Sequence, residues 1–110
     1  MLGLSGKARI FLHHTPVDMR KGFEGLSAIV EVVFTGELLS GAYFVFLNKP
    51  KNRMKVLYWD SDGLALWYKR LEKGSFRKPN NSQLLMDRRA FFMLLEGITP
   101  QHMQKRYKVG

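Results

Sequence analysis

The chain has 110 residues, 45% hydrophobic and 25% charged, with no cysteine and a net charge of +9 from eighteen Lys and Arg against nine Asp and Glu. That balance fits one soluble globular domain and excludes a disordered polyelectrolyte, a disulfide scaffold and a thiolate metal site. An isoelectric point near 10.1 makes a polyanion the natural partner, nucleic acid foremost. No stretch approaches the ~20 apolar residues of a membrane span, and residues 1–12 lack the apolar run of a secretion signal. The expectation is a cytoplasmic protein, nucleoid-associated if it binds DNA, with no membrane partner.

In residues 7–12, Ala8, Ile10 and Leu12 alternate with Arg9 and Phe11, the period of a half-buried strand. From Met19 the spacing changes: Met19, Phe23, Leu26, Val30 and Val33 fall on one helical face, with Asp18 as expected N-cap and Gly36 as stop. Residues 43–47 (YFVFL) are apolar on both sides and predict a central strand. Residues 54–59 predict a second strand, joined to it by the polar link 48–53 as an antiparallel hairpin. Residues 60–63 form a turn, with Asp62 read as a cap for a second helix that runs through Lys73 and stops at Gly74. A short strand over 82–86 and a third helix over 88–96, capped by Asp87 and stopped by Gly97, complete the order. The expected fold is α+β: a single domain over residues 1–100, with about four mainly antiparallel strands and about three helices, and a basic mobile tail at 101–110.

Charge is uneven along this order. Residues 1–48 carry four basic and four acidic groups, 49–78 carry nine and three, and 79–110 carry five and two. Arg20 and Lys21 stand where the helix dipole favours acids, and Arg88 and Arg89 repeat the inversion in the third helix. Free N–H groups beside cations suit a phosphate. Arg20 also has a local explanation in Asp18 and in Glu24 four residues on, whereas Lys21 has Gly25 at that spacing.

Read as a helix, residues 64–73 place Leu64, Trp67, Tyr68 and Leu71 on a core face and Leu66, Lys69, Arg70 and Lys73 on a basic stripe, prolonged by Arg77 and Lys78. On the preceding strand Arg53 and Lys55 share a face with Leu57 and Trp59, Trp59 reading as core. Lys49, Lys51 and Arg53 belong to the hairpin tip. The candidate phosphate contacts are therefore Arg20, Lys21, Lys49, Lys51, Arg53, Lys55, Lys69, Arg70, Lys73, Arg77 and Lys78.

Catalytic signatures are weak. The Asp60-Ser-Asp62-Gly63 turn opens like a calcium loop, but the glutamate that would close one does not follow. Adjacent His13 and His14 point to opposite sides of a strand and do not suit one metal. Neither a Gly-x-Ser-x-Gly elbow nor a Gly-rich phosphate loop occurs. A metal nuclease built on Asp18, Asp60 and Asp62 is the enzymatic alternative. The expectation is no enzyme, no cofactor, no metal and no small-molecule substrate.

Two segments, residues 15–26 (TPVDMRKGFEGL) and 56–76 (VLYWDSDGLALWYKRLEKGSF), together with Phe44-Val-Phe46 and residues 94–98 (LLEGI), resemble the TnpB-type accessory proteins of the insertion-sequence-66 transposable elements. The likeness spans about Arg9 to Ile98. That family is distinct from the RNA-guided nucleases that share the name TnpB. The resemblance implies a small protein encoded beside a separate transposase that carries the acidic catalytic site, and it supplies no catalytic residue. His13-His14 and Arg88-Arg89 lie outside the family pattern, which weakens the second helix-start site. The expected function is a DNA-binding accessory factor for transposition. The alternative is an adaptor docked on the transposase, and a third possibility is RNA binding through Tyr43 and Phe44 if their strand were uncovered.

Overall fold

A computed structural model of the chain describes residues 8–79 and 82–95. Its elements are β1 (Ile10–Leu12), α1 (Phe23–Val33), β2 (Tyr43–Leu47), β3 (Arg53–Asp60), β4 (Gly63–Arg70), β5 (Leu85–Met86) and α2 (Arg88–Leu95). The five strands form one sheet in the order β4-β3-β2-β1-β5. β1 and β2 are parallel and enclose α1 as their crossover; the other pairings are antiparallel. The α+β class and the mainly antiparallel sheet are as expected, with five strands and two helices. The expected tail at 101–110 lies outside the described residues.

The sheet is covered on both faces, and strand alternation sorts its side chains between two cores. Ile10, Leu12, Tyr43, Val45, Leu47, Met54 and Val56 meet Phe91, Leu94 and Leu95 of α2 on one face. Phe44, Phe46 and Leu57 meet Leu26 and Val30 of α1 on the other, with Phe11 packed against them. β2 is buried at all five positions because it is central and lined on both sides. Each fully buried Phe there contributes on the order of 1.5–3 kcal/mol.

The second expected helix is corrected. Residues 64–73 are not a helix: Gly63–Arg70 is the strand β4, paired with β3 along its full length from Asp60↔Gly63 to Arg53↔Arg70. The i, i+3, i+4, i+7 spacing was coincidental, because Leu64, Leu66 and Tyr68 against Ala65, Trp67 and Lys69 satisfy the strand period equally well. Pairing decides between them, since β3 is largely buried and its outer N–H and C=O groups need partners. Asp62 is thus not a helix cap; Ser61 and Asp62 are the two-residue loop of a hairpin, with Ser61 at φ 56°.

The first helix begins at Phe23, four residues later than Met19, with Gly22 at the N-cap position. Asp18 instead closes a turn: its Oδ1 accepts from the Arg20 N–H at 2.8 Å, and its carbonyl accepts from the Lys21 N–H at 3.1 Å. Of the expected apolar face, Leu26 and Val30 are buried and Met19 packs on their core, but Phe23 and Val33 are exposed. Asp87 does what the sequence implied, its Oδ1 accepting from Arg89 N–H at 2.7 Å to cap α2.

Candidate nucleic-acid interface

Four segments meet at one end of the sheet. Residues 13–22 leave β1 along the end of β2, held by His13 N–H to Val45 O at 3.0 Å and Val17 N–H to Leu47 O at 2.9 Å. The β2–β3 hairpin tip is tied internally by Asn48, whose Oδ1 accepts from the N–H groups of Asn52 and Arg53, both at 3.0 Å. β4 ends beside the start of β3. The chain beyond it is drawn across the tip by Leu71 N–H to Asn52 O at 2.8 Å and Phe76 N–H to Lys51 O at 2.6 Å.

This convergence gathers Lys49, Lys51, Arg53, Arg70, Lys73 and Arg77 at the same end, with Arg20 and Lys21 on the adjoining turn. A depression of about 470 Å³ lies between the Pro16–Met19 segment and the tip, bordered by Asp18, Asn48, Lys49 and Arg53. A second, of about 440 Å³, is lined by Arg53, Tyr68, Arg70 and Glu72. Arg53 belongs to both. The opposite end of the β3–β4 hairpin carries Asp60 and Asp62. Eight strand residues separate the two ends, about 24 Å at strand rise.

The cations do not all have the same role. Lys55 is 7% exposed; its Nζ donates to Met19 O at 2.8 Å and Lys21 O at 2.7 Å and lies 4.7 Å from the centre of the Tyr68 ring. It pins the Asp18–Gly22 turn to the sheet from below. Lys69 faces the other side and donates to Leu95 O at 3.1 Å, at the end of α2. Lys78 donates to His14 O at 3.1 Å. The basic stripe of Lys69, Arg70 and Lys73 therefore does not exist: alternation sends Lys69 and Arg70 to opposite faces.

Arg53 donates to the Tyr68 hydroxyl at 3.2 Å and stands directly across from Arg70, which pairs with Glu72 at 3.1 Å. Arg20 pairs with Asp18 at 2.7 Å, the local explanation its sequence context offered. The Arg20 hydrogen bonds hold the Asp18 carboxyl down to about 2. Lys21, Lys49, Lys51 and Lys73 have no side-chain hydrogen bond or ion pair among the described residues. Tyr68, read as core from the helical spacing, is exposed between Arg53 and Lys55. Strand parity with Arg53 and Lys55 is the signal that would have placed it there.

Tyr43 and Phe44 are buried in the central strand, so the open aromatic face considered for RNA is absent. His13 packs on Phe46, with ring centroids 5.5 Å apart, and its Nδ1 lies 2.9 Å from Thr15 O; burial lowers its pKa against the opposing effect of that carbonyl. His14 Nε2 lies 2.6 Å from Gln83 O. No group of three His, Asp or Glu suited to a metal ion occurs among the described residues.

A family model described as "IS66 Orf2 like protein" matches residues 8–105. The chain belongs to the IS66 Orf2-like family. Two relatives of this IS66 Orf2-like chain come from Sinorhizobium fredii (strain NBRC 101917 / NGR234). The uncharacterized protein y4jC is 36% identical over 100 residues, covering 89% of this chain and 86% of the relative. The uncharacterized protein y4hO is 30% identical over 110 residues, covering 98% and 96%. No solved structure matches. Membership of the IS66 Orf2-like family points to an accessory part in transposition of an insertion sequence, in a family that is generally non-catalytic. Among the described residues no helix is long and apolar enough to cross a membrane.

Proposed function

We propose that this IS66 Orf2-like protein is a non-enzymatic, cytoplasmic accessory factor that binds DNA through the basic end of its sheet. The observation that carries the reading is the convergence there of Lys49, Lys51, Arg53, Arg70, Lys73 and Arg77, with Lys21 and Arg20 beside them. The carboxylates of Asp18 and Glu72 already engage Arg20 and Arg70, so the lysines supply most of the uncompensated field. Lys55, Lys69 and Lys78 support this surface rather than contact phosphates, because each ammonium is engaged with backbone carbonyls.

If about five phosphates are neutralised, log K for duplex DNA falls with log salt at a slope near −4.5. A slope near zero removes the reading. The diagnostic variants are Lys49→Glu, Lys51→Glu and Lys73→Glu, combined, which should abolish retention on DNA at moderate salt while leaving the fold intact by circular dichroism.

The second reading, an adaptor docked on the separate transposase, is favoured by a different feature. α1 and the turn after it leave Phe23, Val32, Val33 and Leu39 exposed, Val32 at 79% and Leu39 at 61%. Under that reading the triple lysine variant keeps its partner binding and Val32→Asp loses it.

A further inference from the structure

We propose that β4 is a dimerisation edge, pairing antiparallel with β4 of a second copy of the chain to join two five-stranded sheets into one. The inference is independent of DNA binding and rests on the backbone of the outermost strand. Among the described residues β4 is paired on one side only, at the end of the order β4-β3-β2-β1-β5.

Which of its groups face outward follows from ladder parity. Leu71 N–H donates to Asn52 O at 2.8 Å, one step beyond the Arg53↔Arg70 pair. Because hydrogen-bonded and non-bonded pairs alternate, odd-numbered β4 residues bond β3, and Leu64, Leu66, Tyr68 and Arg70 turn their N–H and C=O groups outward. None of these four has a backbone hydrogen bond to another described residue outside that ladder. Natural edges of this length are usually blunted by proline, a bulge or central charge. β4 has no proline, runs in unbroken register with β3 over eight residues, and keeps its cations at one end.

A two-fold axis perpendicular to the sheet keeps the α1 faces of both copies on one side, so residues brought opposite each other must share parity. Placing Leu66 on that axis sets Leu64 against Tyr68 and Ala65 against Trp67 of the partner copy, pairing aliphatic with aromatic side chains on both faces. The same register sets Asp62 against Arg70, twice by symmetry, and brings no two like charges opposite.

The test is molar mass by sedimentation equilibrium across the micromolar range. A dimer is expected. Asp62→Arg and Arg70→Asp, each creating two like-charged pairs, should each raise the dissociation constant about tenfold, and the double swap should restore it. Leu66→Pro removes an outward donor without touching the β3 ladder and should give a monomer. A monomer at every concentration overturns the proposal. A dimer indifferent to both the swaps and Leu66→Pro places the interface elsewhere and overturns it equally. Should Leu66→Pro fail to fold, the charge swaps decide alone.

Discussion

At the scale of single residues, Lys55 shows how a cation can be structural in a basic protein. Its ammonium satisfies two carbonyls of the turn that precedes α1 and is almost wholly removed from water. Lys55→Met keeps the stem but leaves Met19 O and Lys21 O without it, so chemical denaturation should register a loss of about 1.5–3 kcal/mol, the range for hydrogen bonds to charged groups. The segment from His13 to Gly22 should respond to acid in two steps. His13 has a pKa lowered below 6.5 by burial, so its neutral form favours the folded state; that contribution is complete above 6.5 and declines as pH falls. Asp18 follows lower down: its carboxyl is held from 3.8 down to about 2, so its contribution is complete above about pH 4 and is lost as pH approaches 2. An NMR titration of both side chains checks the order, and Asp18→Asn should abolish the lower step alone. Sequence gave the Asp18–Arg20 partnership by adjacency, but nothing local could show that Lys55 points at a turn 34 residues away.

At the scale of elements, legibility tracked how far each segment's pattern was unique. β2 was readable to the residue, because five consecutive large β-forming apolar residues between Gly41-Ala42 and Asn48 suit little else. α2 was readable from Asp87, whose cap is local chemistry. β4 was not, since Leu64 to Tyr68 are apolar on every side and satisfy both periods, and only the neighbouring β3 selects one. Gly74 illustrates a correct signal attached to the wrong element. Its φ of 75° lies in the left-handed region, as a helix stop would require, yet it serves the loop after a strand. A Cβ at Gly74 would meet nothing within 4 Å, so Gly74→Ala should cost only the conformational penalty of about 1–2 kcal/mol. Thermal unfolding measures that loss, and Gly74→Asn should recover part of it because Asn tolerates the region better.

At the scale of the whole molecule, the hairpin makes the protein electrically lopsided, with Asp60 and Asp62 at one end of β3–β4 and the cluster around Arg53 at the other. The salt slope therefore belongs to an end of the molecule and not to its net charge. In the Leu66→Pro background, where no second copy brings Asp62 beside Arg70, Asp60→Asn with Asp62→Asn raises the net charge as much as two added lysines, yet should leave the slope of DNA affinity nearly unchanged; filter binding over a salt series compares it with the triple lysine variant. The amino-acid sequence by itself determined the family, the excess of positive charge and the central hairpin, because these reside in residue types and short motifs. Tertiary structure alone decided that the stretch after Gly63 is a strand and that Lys55, Lys69 and Lys78 turn toward backbone carbonyls while Lys49, Lys51 and Lys73 reach outward. The reason is physical: a side chain's face is set by the strand beside it, and a buried backbone group takes its partner from wherever the fold brings one.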